Sequence, residues 1–107
     1  MITVDFLTTP DGFLSGFRVA GHSDYSENGS DIVCAAVSSA VYMAMNTVTD
    51  VVGVQPLAIR VNDGEAFFRV ELKDEVVCRT VFTGLKLHLL GLEEQYPQNI
   101  NVSYLEV

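Results

Sequence analysis

DIVCAAVSSAVYMAMNTVTDVV, residues 31–52, is the stretch on which the fold turns. Val33, Val37, Ala40, Val41, Ala44, Val48 and Val51 recur at steps of three and four, the pattern of a helix with one apolar stripe. Gly53 follows as a natural C-terminal stop, and Pro56 prevents resumption. At about 1.5 Å per residue this helix spans roughly 30 Å, the width of a small domain. The rest of the chain must therefore pack around it as a spine.

Toward the N-terminus, residues 2–9 alternate loosely and read as a strand, with Ile2, Val4 and Phe6 on one face. Pro10-Asp11-Gly12 is a turn. Residues 13–22 resume strand character, with Phe13, Ser15, Phe17 and Val19 expected on one face. Gly16 within that strand marks a bulge or the close approach of another backbone. Residues 23–30 are polar, bear a glycine and have no apolar period, so they form a loop. Toward the C-terminus, residues 57–62 alternate up to Asp63-Gly64, a hairpin signal. The return strand, 65–73, places Ala66, Phe68, Val70 and Leu72 together. A second helix spans 74–96 with Cys78, Val81, Phe82, Leu85, Leu89 and Leu92 as its stripe; Pro97 ends it, and 100–107 is a last strand.

The order is ββαββαβ. Two helical stripes need one shared apolar surface, so the expected fold is α+β in two layers, an antiparallel-dominated sheet with both helices packed on one face. The other sheet face, carrying Phe67, Arg69 and Glu71, leaves room for a homodimer contact. No linker or repeat divides the chain, so residues 1–107 are expected to be a single domain.

The 107 residues are 49% hydrophobic and 19% charged, which excludes intrinsic disorder as the default. No apolar run long enough for a membrane span is expected, and the first residues lack the pattern of a secretory signal. The expected compartment is therefore the cytoplasm. Six Lys plus Arg against 14 Asp plus Glu give a net charge of −8. Phosphate backbones would repel such a surface, so direct nucleic-acid binding is not expected, whereas a basic protein partner would be attracted.

One segment can carry chemistry: Gly21-His22-Ser23, a loop, then Asp31-Ile32-Val33-Cys34-Ala35-Ala36-Val37-Ser38. His22 ends a strand, and Cys34 is expected in the first turn of the helix. There the free N–H groups and the helix dipole would stabilise a thiolate and hold a developing oxyanion, with the imidazole moving the proton. The plain reading stands beside this one: a cysteine on a Val- and Ala-rich helix is more often a small core residue, and a strand-end histidine is more often bonded to backbone. Asp31 is most simply a helix-capping residue. Ser38, four residues after Cys34, shares its helix face. Cys78 opens an apolar stripe and reads as a core thiol; His88 reads as a boundary residue. His22, Asp24, Glu27 and Cys34 lack a metal-ligand spacing, and no nucleotide loop is present, so neither metal nor cofactor is expected.

The Gly21-His22 pair and the string from Asp31 to Ser38 resemble the signature of the ribosomal-processing cysteine protease family, often called Prp, and the resemblance extends over the whole chain. It implies a cytoplasmic bacterial endopeptidase that removes the N-terminal extension of a large-subunit ribosomal protein precursor. His22 and Cys34 would be its catalytic dyad, and homodimers would be usual. Substrate extensions ending in aromatic residues imply an apolar cleft beside Cys34. Two other classes remain: a non-catalytic ribosome-associated interaction module, and a thiol redox sensor based on Cys34.

Overall fold

The structure is a computed structural model that describes residues 1–21 and 28–107, with the side chains of 28–31 excepted. Its elements are β1 (Ile2–Thr8), β2 (Leu14–Ala20), α1 (Asn28–Asn46) with a π-helical extension (Thr47–Val52), β3 (Ala58–Asn62), β4 (Glu65–Arg69), a short 3₁₀ turn (Leu72–Asp74), α2 (Glu75–Gln95) and β5 (Ile100–Glu106). The five strands form one sheet in the order β3-β4-β2-β1-β5. All neighbours are antiparallel except β1 and β5, which run parallel.

This topology accounts for both helices lying on one face. The crossover β2–α1–β3 runs to one side of the sheet, and β4–α2–β5 runs to the other. Their starting strands, β2 and β4, are antiparallel neighbours. A right-handed crossover fixes the helix's face by strand direction and lateral displacement together. Reversing both leaves the face unchanged, so α1 and α2 share it. Between them and the sheet lie Ile2, Val4, Phe6, Phe17, Phe68 and Ile100 from the strands, Val33, Val37, Val41, Ala44 and Val48 from α1, and Cys78, Phe82, Leu85 and Leu89 from α2. Phe17 stacks on Phe68 at 5.7 Å between centroids, and Phe82 meets both edge-on at 6.0 and 6.2 Å. These are favourable aromatic geometries at the centre of the core.

Gly16 satisfies both readings of its place in the strand. The register of β1 with β2 shifts beside it: Leu7 faces Gly16 and Thr8 faces Leu14, leaving Ser15 as the extra residue of a bulge. A Cβ at Gly16 would also collide with the carbonyl oxygen of Phe68 and lie 2.8 Å from the Arg69 Cα. The bulge overturns the expected face of the strand's start. Leu14, not Phe13, packs on the core, while Phe13 is exposed beneath the Arg79 guanidinium, 5.0 Å from its ring centroid.

Three further expectations are corrected. Leu72 is exposed, because β4 ends at Arg69 and the chain enters the 3₁₀ turn. Val51 is exposed because the helix widens to π geometry at Thr47 and rotates the stripe away from the core. In that widened turn the hydroxyls of Thr47 and Thr49 donate to the carbonyls of Met43 and Met45, at 2.7 and 3.1 Å, as back-bonding Thr residues do where helices distort. Ile32–Val52 is also long and apolar enough, by length and composition, to cross a membrane, contrary to the sequence expectation. Part of that apolarity is spent in the core, where Val33, Val37, Val41, Ala44, Met45 and Val48 are buried.

The outer sheet face is more polar than expected. Arg18 reaches Asp5 at 3.6 Å and Glu65 at 3.0 Å, and Arg60 approaches Glu65 at 3.8 Å while covering the Phe67 ring.

Candidate active site

Strand β3 is the edge of the sheet, paired among the described residues with β4. The register puts Ile59 opposite Phe68 and Val61 opposite Ala66, so both valine and isoleucine lie on the helix side of the sheet. Both are nevertheless exposed. The gap between α1 and the β3–β4 hairpin is an open cleft of about 380 Å³. Cys34, Ser38, Val41 and Tyr42 of α1 form one wall. Val61, Asn62, Asp63 and Gly64 form the other, and Val19 and Ala66 lie between them.

Cys34 is half-buried at this cleft, and Ser38 is exposed one helical turn further on. At the i+4 spacing Ser38 lies on the same helix face as Cys34. Gly21 closes the cleft where β2 ends. Its N–H donates to the Gly64 carbonyl at 2.9 Å, its φ is +82°, and a Cβ would lie 2.5 Å from the Met1 carbonyl oxygen. Glycine is required there on both conformational and steric grounds. It fixes where the chain leaves the sheet beside the cleft.

His22 lies outside the described residues, as do Asp24, Glu27 and the side chain of Asp31. The position of Cys34 in the helix is a correction. Because α1 begins at Asn28, Cys34 is its seventh residue and belongs to the second turn, and Asp31 is its fourth residue rather than its cap. The N–H of Cys34 is thus at a position that bonds within the helix, and the dipole effect is concentrated one turn earlier.

Cys78 is fully buried in the core. Burial pushes its thiol pKa up from 9.0, and the carboxylates of Asp74 and Glu75 push it the same way. Glu75, itself buried, is held by Arg79 through contacts of 2.7 and 3.0 Å. His88 is exposed at a second, apolar groove of about 640 Å³ between α1 and α2, lined by Ala40, Met43, Ala44, Val81 and Leu85 among others. Among the described residues no group of three or more His, Cys, Asp or Glu side chains is placed to hold a metal. The sequence named Cys34, Ser38 and Gly21, but it missed the opposite wall. Val61 and Asp63 are distant in the chain, and only the sheet order brings them to Cys34.

A thiol and a serine on one helix, open to a cleft of about 380 Å³ in an α+β fold, are the arrangement a small cysteine hydrolase would use. The profile of the family described as cysteine protease Prp matches residues 1–101, and the chain belongs to that family. The ribosomal processing cysteine protease Prp of Staphylococcus aureus is 28% identical over 110 residues, covering 97% of this chain and 99% of the relative. Crystal structures of the S. aureus protease superpose with TM-scores of 0.88 for its complex with a substrate peptide and 0.85 for that with a covalently linked product peptide. Sequence identities are 27% and 28%, and each covers 98% of this chain and 100% of the other. Among the three classes left open by the sequence, the enzyme stands: this chain is a cysteine protease.

Proposed function

We propose that the chain is a cytoplasmic endopeptidase that removes the N-terminal extension of a basic large-subunit ribosomal protein precursor, with Cys34 as nucleophile and His22 as general acid and base. The observation that carries this reading is the cleft itself: Cys34 opens into it, and Gly21, covalently joined to His22, forms its end. The Cys34 thiolate attacks the scissile carbonyl, and His22 protonates the departing amine; water then releases the acyl-enzyme. We assign the oxyanion to the Ser38 hydroxyl, which lines the same cleft one helical turn from Cys34. The apolar lining of Val19, Val41, Val61 and Ala66 supports acceptance of the bulky apolar residues that the family resemblance implies. An opening of this size takes an extended segment, not a folded domain, which suits cleavage within an unstructured N-terminal extension.

The test is intact-mass analysis of an N-terminally extended ribosomal protein precursor incubated with the wild-type chain and variants. A single cut should be lost in Cys34→Ala and His22→Ala. Ser38→Ala should lower kcat by about 10², as removal of an oxyanion donor does, with little change in KM. Cleavage retained by Cys34→Ala would refute the mechanism.

We also propose that the chain is a homodimer. Support comes from the uncovered apolar α1–α2 groove, where Met43 is 69% exposed, more than from the ion-paired outer sheet face. Sedimentation equilibrium giving only the monomer mass would overturn this.

A further inference from the structure

The two walls of the cleft differ in chemistry. The α1 wall carries no acidic or basic side chain among the described residues, whereas the opposite wall carries two carboxylates, Glu65 and, at the tip of the β3–β4 hairpin, Asp63. No lysine or arginine is among the described residues that line it. The other lining carboxylate, Glu65, is engaged by Arg18 and Arg60, and Asp5 beyond it by Arg18 and by the Ser103 hydroxyl at 2.6 Å. Asp63 has no ion-pair or hydrogen-bond partner among the described residues.

Turn chemistry does not account for this aspartate. Asn62 pairs with Glu65, so Asp63 and Gly64 are the two central residues of the turn. Gly64 has φ +83°, and no residue other than glycine has positive φ among the described residues. A type I′ turn, which favours Asn or Asp before Gly, needs positive φ at both central positions. Here only the second is positive, as in a type II turn, which requires glycine there and favours proline before it. The hairpin explains Gly64 and leaves Asp63 for another task.

We infer that Asp63 is a specificity-determining residue that receives a lysine or arginine side chain of the substrate, on the hairpin side of the cleft and within reach of the bond presented to Cys34. The inference rests on the endopeptidase reading for the identity of the ligand as an extended peptide. An exposed carboxylate of this kind contributes selectivity through an attraction of modest size that also orients the approaching chain.

The experiment measures binding in the full-length Cys34→Ala chain, by fluorescence anisotropy. Two labelled peptides span the processing junction of a ribosomal protein precursor, one native and one with every Lys and Arg changed to Gln. The native peptide should bind more tightly. Adding Asp63→Asn should weaken the native peptide by roughly two- to fivefold, the range for exposed ion pairs, and leave the Gln peptide unchanged. Asp63→Lys should reverse the preference. Asp11→Asn, on the β1–β2 turn at the other end of the sheet, should do nothing. Equal loss for both peptides, or no loss, overturns the inference. Cleavage by the Cys34-intact chain is scored separately. Charge-selective binding without cleavage would keep the subsite and remove the endopeptidase reading, and cleavage indifferent to Asp63 would do the reverse.

Discussion

Cys34 and Cys78 carry the same thiol and differ only in what surrounds them. Cys34 stands half-buried at the cleft, while Cys78 has no exposed surface and faces the Asp74 and Glu75 carboxylates. Alkylation needs both access and thiolate, and Cys78 has neither. Iodoacetamide should modify Cys34 in the native chain and Cys78 only after unfolding; equal native labelling, read by peptide mass mapping, would contradict the burial described. The raised Cys78 pKa also sets a stability trend. Above about pH 9 the unfolded thiol ionises while the folded one holds its proton, so the folded state binds more protons. Stability should fall as pH rises through that window, by at most about 1.4 kcal/mol per pH unit from this group, and the slope should flatten in Cys78→Ala. Cys78 was legible as a core thiol from the apolar stripe around it, whereas the Val- and Ala-rich neighbours of Cys34 pointed equally to the core, and only the resemblance singled it out. The helical turn holding Cys34 was not legible, because α1 starts at Asn28 within what composition marks as loop.

Elements were readable where local chemistry decides them and misread where a bulge or widened turn intervenes. Gly64, at φ +83°, turns the β3–β4 hairpin, and Gly53 ends the spine with its N–H on the Val48 carbonyl at 3.1 Å. Phe13 and Val51 went to the wrong face for one reason in two forms. An extra residue at Ser15 shifts the period of two, and the π turn after Asn46 shifts the period of 3.6. Neither insertion changes composition, so a periodicity count passes over it. In α2, Gly84 and Gly91 sit inside the helix, and a Cβ at either meets nothing within 4 Å. Glycine there lowers helix stability without a packing return in the monomer. Gly91→Ala should stabilise the chain by about 0.5–1 kcal/mol, measured by urea denaturation. Gly84 lines the α1–α2 groove, so Gly84→Ala should give the same gain in a monomer and a smaller one if a second copy seats against that groove.

Across the whole molecule, sheet order does what no local signal can. Val61 and Asp63 face Cys34 across the cleft because the β2–α1–β3 crossover carries β3 to the edge beyond β4, leaving the cleft between the spine and the edge hairpin. The net charge of −8 acts at the same scale. Its field extends about 10 Å at 0.1 M salt and 3 Å at 1 M, so it governs the approach of a basic precursor rather than the chemistry at the thiol. Raising the salt should therefore lower kcat/KM for the intact precursor while kcat at saturation stays nearly constant. A neutral junction peptide should show little salt dependence, because it carries no charge for the field to act on. Asp63→Asn removes one carboxylate out of 14 acidic residues and should leave most of the salt slope for the intact precursor in place, while reducing the preference for a basic residue in the cleft. Steady-state kinetics on both substrates, at low and high salt, with and without Asp63→Asn, would separate the two contributions. If the slope vanished with Asp63 alone, encounter would be governed by the hairpin tip and not by the acidic surface as a whole.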